Sequence, residues 1–296
     1  METAELLKKV RRIEIKTRGL TRQIFAGQYH SAFKGRGMAF NEVREYQVGD
    51  DIRSIDWNVT ARYNQPFVKV FEEERELTVM LLIDVSGSLN FGSTQQFKRD
   101  VITEVAAVLA FSAIQNNDKI GVILFSNRVE KFIPPQKGRK HILRIISELL
   151  NFEPSGKETN ISEALRFLTN AIKKRCTAFL ISDFIDFDES LGQPRFTDAI
   201  SIANNKHDVV AIRIYDDRET QMPPVGLVRF ADAETGNYFW VDTANHQVLE
   251  LYRNWWNTST DYLKQAFTKA RVDWISVRTD EDYVKPLMLL FKRRSK

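Results

Sequence analysis

Two aspartates, two serines and one threonine stand where a parallel sheet would bring their side chains together. Asp84, Ser86 and Ser88 form a D-x-S-x-S motif that begins at the last residue of the apolar run LTVMLLID. Asp183 lies near the end of a second apolar run, TAFLISDF, and Thr159 precedes a predicted helix in GKETNISEAL. In an open α/β sheet, ligands bind beyond the carboxyl ends of the strands. The five side chains are therefore candidates for one shared site.

The chemistry of this set is that of a hard divalent cation. Carboxylate and hydroxyl oxygens, without sulfur or imidazole, suit Mg²⁺, with Mn²⁺ and Ca²⁺ as alternatives. Mg²⁺ takes six oxygens and keeps several waters, so few strong protein ligands leave one position for an incoming carboxylate. A D-x-S-x-S motif alone arises often by chance, and Ser or Asp after a strand often caps a helix. Because Thr159 and Asp183 fall at other strand ends, we predict a metal site and no catalytic residues.

The loops after these strands should form the rim of the predicted metal site. We expect four rim residues to contact a partner: Asn90, Phe91, Lys157 and Phe184. Asp186 and Asp188 lie just past Asp183, and we interpret both as solvated loop acids. A role behind the metal ligands or toward a partner is the alternative for these two.

Other catalytic and nucleotide-binding motifs are incomplete in this sequence. Gly156-Lys157-Glu158 lacks the Ser or Thr that follows the lysine of a phosphate-binding loop. Ser86 is not in a G-x-S-x-G elbow, and the four histidines show no ligand spacing. A metal-dependent hydrolase using the same oxygen cluster is the alternative function, but it would need a general base or nucleophile beside the metal. We find no well-placed His, Cys or Lys, so the sequence favours a protein that is not an enzyme.

The site would be positioned by strands that alternate with helices. Apolar runs predict a short strand at 67–71 and further strands at 77–84, 119–125, 129–134, 177–184, 208–216 and 274–278. Helical periodicity predicts helices at 2–26, 94–116, 139–150, 161–175, 197–205, 244–271 and near the C-terminus. Residues 226–243 interrupt this order and predict a β-hairpin with its turn at 234–237. The pattern predicts an α/β fold: a doubly wound, mostly parallel sheet with helices on both faces and a hairpin insertion.

Composition indicates a globular protein, since 43% of the 296 residues are hydrophobic and 28% are charged. The single cysteine, Cys176, excludes an internal disulfide, and no secretory signal or membrane-spanning run is visible. We expect a cytoplasmic protein, with peripheral contact at the inner membrane left open.

Residues 1–40 hold nine Lys and Arg against three Glu. This excess indicates a solvated basic helix, or alternatively docking onto an anionic partner or membrane face. Nucleic acid is not favoured, because the aromatic residues follow the main basic run.

The segment before the first predicted sheet strand carries a specific resemblance. It contains Gly27, Ser31, Gly35, Gly37 and Phe40, followed by VREYQVGDDIRSIDW and an Ala-Arg pair. This pattern closely resembles the bacterial family of domain of unknown function fifty-eight, over about residues 10–290. The resemblance implies a von Willebrand factor A-like domain at 77–296, with a metal-ion-dependent adhesion site, and an N-terminal extension at 1–76. It also implies an adaptor or co-chaperone that works with an AAA+ ATPase of the MoxR type.

The extension also has an interpretation from its residue types. Seven charged residues alternate in sign around Tyr46 and Trp57: Arg44, Glu45, Asp50, Asp51, Arg53, Asp56 and Arg62. Such a network fits a segment that packs by ion pairs around aromatic anchors. A direct partner surface is the alternative, because Arg and Trp also favour interfaces.

Overall fold

The structure is a computed structural model of the chain, and it describes residues 10–17, 29, 32, 37–74, 77–92, 97–188, 192–232 and 236–294. Its strands are β1 (Gly37–Glu45), β2 (Phe67–Glu74), β3 (Thr78–Asp84), β4 (Lys119–Phe125), β5 (Val129–Gln136), β6 (Thr177–Ser182), β7 (Asp208–Tyr215), β8 (Leu227–Ala231), β9 (Tyr238–Asp242) and β10 (Asp273–Arg278). Its helices are α1 (10–17), α2 (Trp57–Tyr63), α3 (Lys98–Gln115), α4 (Arg139–Asn151), α5 (Ile161–Ala171), α6 (Thr197–Lys206), α7 (Asp217–Thr220), α8 (His246–Lys269) and α9 (Val284–Arg294).

Six strands form one sheet in the order β10-β7-β6-β3-β4-β5. Every neighbouring pair is parallel except β4 and β5, which are antiparallel. The central strands β3 and β6 are buried on both faces, as their continuous apolar runs predict. The predicted doubly wound, mostly parallel architecture is therefore confirmed.

Helices cover both faces of this sheet. On one face, α5, α6 and α8 pack over alternate residues of the central strands, among them Met80, Leu82 and Leu180. On the other face, α3 contacts β3, β4 and β7 and packs beside α4. Alternation along β3 divides its side chains between the two layers. Because β3, β6 and β7 are parallel, their carboxyl ends lie at the same edge of the sheet.

Several element bounds differ from those that the sequence predicts. Helix α5 ends at Ala171 rather than at 175, and α3 begins at Lys98 rather than at 94, with 93–96 outside the described residues. The predicted first helix, 2–26, is described only at 10–17. The predicted hairpin is present as β8 and β9. Of its turn, residues 234 and 235 lie outside the described residues. Among the described residues, no helix is long and apolar enough to cross a membrane.

The chain divides into two compact units, Lys34–Leu77 and a unit that joins Met1–Phe33 to Thr78–Lys296. The division at 77 lies where the sequence places the start of the α/β domain, but the described residues before Lys34 group with the α/β unit rather than with the expected extension at 1–76.

Within the smaller unit, β1 and β2 form an antiparallel ribbon. The Arg44 guanidinium donates one hydrogen bond to each carboxylate oxygen of Asp50, both at 2.7 Å. The Asp56 side chain caps the N-terminus of α2. Ion pairing of the predicted kind is thus present, whereas Trp57 is 68% exposed and is not a packed anchor.

Candidate functional site

Asp84 and Asp183 are brought to the same edge of the sheet by parallel pairing of β3 with β6, in which Ile83 lies opposite Ile181. Both aspartates are buried. Asp84 Oδ1 accepts a hydrogen bond from the backbone N–H of Ser86 at 2.9 Å, and its Oδ2 accepts one from Ser182 Oγ at 2.6 Å. The structure thus fixes the orientation of the Asp84 carboxylate from both sides.

The two serines of the motif lie beside these carboxylates. Ser86 stands at the start of a 3₁₀ turn, Gly87–Asn90, and its Oγ is 3.2 Å from Ser88 Oγ. The Ser88 side chain in turn lies near enough to Asp183 to help lower the pKa of that carboxyl. Four of the five predicted ligands therefore form one connected cluster of oxygen atoms.

Thr159, the fifth predicted ligand, lies in a loop held against this cluster by backbone hydrogen bonds. The N–H of Gly87 donates to the carbonyl of Lys157 at 2.9 Å, and the N–H of Asn160 donates to the carbonyl of Ser126 at 2.9 Å. The Thr159 side chain is buried. The structure places its loop next to the Ser86–Ser88 turn, as strand-end reasoning predicts.

The electrostatics of the cluster fit a cation. Burial, followed by the nearby charge of Asp183, raises the pKa of Asp84 to about 7, although hydrogen bonds from Ser182 and Ser86 oppose the rise. Two buried carboxylates that repel each other are stabilised by a positive charge between them. Their oxygens, with the hydroxyls of Ser86 and Ser88, are the donor types that Mg²⁺ prefers. The residues present therefore suit the predicted metal ion.

The expectation that no Lys lies near the cluster is wrong, because Lys98 contacts Asp183 and was not predicted. Its ammonium lies 2.8 Å from Asp183 Oδ2 and 2.6 Å from Glu219 Oε1, and its side chain is fully buried. Burial raises the pKa of Asp183, but the adjacent Lys98 outweighs this effect and holds the pKa below its usual value. The sequence carried no local signal of this role, because the predicted helix begins at 94 and places Lys98 inside it. The structure begins α3 at Lys98, where the helix dipole disfavours a cation and the acidic partners offset that cost.

The predicted rim is only partly accessible. Phe91 is 44% exposed and Lys157 is exposed, whereas the side chain of Asn90 lies outside the described part of the chain. The assignment of Phe184 is wrong, because its side chain is fully buried against Phe267, with ring centroids 5.1 Å apart. A positive φ of 60° at Phe184 turns the chain and directs this aromatic ring into the core.

Asp186 is not the solvated loop acid that the sequence suggested. It is buried, and its Oδ2 accepts a hydrogen bond from the N–H of Ile161, the first residue of α5, at 2.9 Å. Asp186 thus links the loop after β6 to the helix that follows Thr159.

In the described ranges, no group of three or more His, Cys, Asp or Glu side chains is placed to hold a metal ion, so the proposed site rests on two carboxylates and on hydroxyls. His141 bonds the carbonyl of Ile120, and His207 lies 3.3 Å from Cys176 Sγ in the core. Neither contact provides a general base for the oxygen cluster.

The fold and site together define an α/β domain with a buried carboxylate and hydroxyl cluster at the carboxyl edge of its sheet. Residues 42–260 match the family described as "Protein of unknown function DUF58", and the chain belongs to that family. The "Uncharacterized protein Rv1480" of Mycobacterium tuberculosis is 30% identical over 239 residues, which cover 80% of this chain and 73% of that protein.

The solved structures to which the chain is similar include the following two proteins. The conserved hypothetical protein BatB from Bacteroides thetaiotaomicron is 14% identical, with a TM-score of 0.47 over 74% of this chain and 98% of BatB. The SpRpn10 VWA domain is 10% identical, with a TM-score of 0.37 over 74% of this chain and 95% of that domain.

Proposed function

We propose that this protein is a non-enzymatic interaction module that binds a protein partner through a divalent metal ion held by Asp84, Ser86, Ser88, Thr159 and Asp183. The observation that carries the proposal is the pair of buried carboxylates, Asp84 and Asp183, linked through the two serine hydroxyls. Lys98 supplies a counter-charge to Asp183, but no ion pair joins a cation to Asp84 among the described residues, and a buried carboxylate is costly to keep charged without one. Mg²⁺ is the expected ion, with Mn²⁺ or Ca²⁺ as substitutes.

When bound, the ion would offer an open coordination position to an Asp or Glu of the partner. One coordinated carboxylate fixes geometry, but flanking contacts are needed for useful affinity. The exposed Phe91 and Lys157 are suitable for such contacts. The proposed partner is an AAA+ ATPase of the MoxR type. This choice is supported by the family resemblance of the 40–62 segment.

Titration calorimetry with Mn²⁺ tests the metal site. Asp84→Asn keeps the shape of the side chain but removes its charge, and we expect it to abolish binding that the wild type shows. Asp198→Asn, at an exposed position in α6, is the matched control and should bind like the wild type. Equal binding by wild type and Asp84→Asn would refute the site.

The affinity for a purified MoxR-type ATPase, measured with Mg²⁺ and with EDTA, tests the partner. We expect chelation and Asp183→Ala each to weaken the complex. If neither affects it, the metal has no part in that interaction.

The alternative, a metal-dependent hydrolase on the same cluster, is tested by turnover of phosphate and peptide substrates. Turnover that Ser86→Ala abolishes would replace the interaction module with an enzyme.

A further inference from the structure

The ion pairs of Lys98 connect the proposed metal site to the segment after β7. The Lys98 ammonium bridges Asp183, at the end of β6, and Glu219, in α7. Glu219 is itself fixed, since its Oε2 accepts from the N–H of Asp216 at 2.8 Å and its carbonyl accepts from the Tyr252 hydroxyl at 2.8 Å. The ammonium therefore has a defined position that does not depend on solvent or on a flexible surface partner.

The charges around this ammonium nearly balance without a metal ion. Two acids, Asp183 and Glu219, pair with Lys98, and Asp84 interacts with Asp183. The guanidinium of Arg213 lies close enough to interact with Asp183 and Glu219. Arg213 packs over the ring of Trp256 at 4.5 Å. The fixed positive charge of Lys98 thus acts on the same carboxylate that an incoming metal ion would use.

We propose that Lys98 is a built-in counter-ion that keeps the cation affinity of the Asp84–Asp183 site low, while Glu219 opposes it. This inference rests on the proposed metal site. The weak intrinsic binding would make the ion stay only when a partner carboxylate supplies a further negative ligand. Lys98 therefore sets the dependence of metal binding on the partner.

The sign of the effect separates this role from a purely structural one. A lysine that only orders Asp183 would, when removed, leave the carboxylate misplaced and the metal more weakly bound. If the lysine instead repels the ion, its removal leaves two buried acids without that positive charge, and the metal binds more tightly. A unit charge beside a divalent ion changes its affinity by about tenfold or more, even at high dielectric constant.

The experiment is Mn²⁺ titration of the full chain in three variants beside the wild type. We expect Lys98→Met to bind about tenfold more tightly and Glu219→Gln to bind several-fold more weakly. The double variant Lys98→Met/Glu219→Gln restores the charge balance and should bind like the wild type. Unchanged or weaker binding by a folded Lys98→Met protein would overturn the inference.

Thermal unfolding provides a second measurement, because removing one partner of a buried ion pair destabilises a protein. We expect Lys98→Met to unfold at a lower temperature than the wild type without metal, and to gain more from Mn²⁺ than the wild type does. No greater gain than in the wild type would count against the counter-ion role.

The two proposals fail in different ways. If the wild type binds Mn²⁺, Asp84→Asn does not, and Lys98→Met fails to tighten binding, then only the counter-ion role is lost. If neither the wild type nor Lys98→Met binds Mn²⁺, both proposals fall. Binding seen in Lys98→Met alone would support the counter-ion role directly.

Discussion

The Glu130 carboxylate accepts a hydrogen bond from the backbone N–H of Gly156 at 2.8 Å, so β5 holds the loop that carries Thr159. The same carboxylate oxygen accepts from Ser126 Oγ at 2.7 Å, at the end of β4. Burial raises the pKa of Glu130, but these bonds and those from Ser155 outweigh it and lower the pKa below its usual value. Glu130 is therefore a positioning residue for one side of the proposed site.

Glu130→Gln should lower the free energy of unfolding at pH 7 by about 1–3 kcal/mol, because charge-assisted bonds to buried donors become weaker. The contribution of a carboxylate with a lowered pKa is present above its unfolded pKa and is lost as pH falls through the folded value. The gap between wild type and variant in urea unfolding should thus narrow at acidic pH. The control is Glu148→Gln, whose partner Lys131 lies at 2.6 Å in a partly exposed pair. Its cost should stay below about 1 kcal/mol.

Gly156→Ala should displace the same loop. A Cβ at this position would lie 2.5 Å from Ser126 Oγ and 3.0 Å from Asn127 Cγ, so a neighbour must move. Asn127 is exposed and can rotate away, but Ser126 would lose its bond to Glu130. We expect a loss of about 1–3 kcal/mol in thermal unfolding, as for other overpacked sites. Glu158→Ala, at an exposed position in the same loop, should have little effect. A Gly156→Ala protein as stable as the wild type would show that the loop adapts.

His207 should make the protein less stable in mild acid. Burial, with Lys206 and Arg175 nearby, lowers the pKa of His207 from 6.5 to about 4. The unfolded chain therefore binds a proton between these pH values when the folded chain does not. The free energy of unfolding does not depend on the protonation of His207 above pH 6.5. It falls by roughly 2–3 kcal/mol as the pH drops from 6.5 toward 4, because the proton binds the unfolded chain more tightly.

The measurement is the free energy of unfolding of wild type and His207→Phe from pH 4 to pH 8. The difference between them should change across that window and be constant above it. His246→Gln, at an exposed position, is the control and should follow the wild type throughout. Parallel curves for His207→Phe and wild type would exclude His207 as the source of the acid sensitivity.

Short-range patterns in the sequence determined the layered α/β fold and the identity of the oxygen cluster. Runs such as LTVMLLID are continuously apolar and have the length of a strand, which fits a strand buried on both faces. An aspartate at the end of such a strand lies at the edge of the sheet where the strand ends. Asp84 and Asp183 could therefore be placed together before any contact was known. A strand at 67–71 was predicted and lies within β2, but β1 and its antiparallel pairing with β2 were missed, since the partners lie about 30 residues apart and share no local signal.

Tertiary structure alone decided which polar side chains contact the cluster and which apolar side chain, predicted at its rim, is buried in the core instead. Lys98 reaches Asp183 and Glu219 across 85 and 121 residues, and in the sequence it resembles any charged residue at a helix start. Phe184 follows Asp183 in a loop, yet a left-handed turn buries it. Periodicity and strand ends can be predicted from the sequence because they depend on residues that are close together in the chain. Burial and charge pairing depend on which distant segments the fold brings together, so only the folded chain determines them.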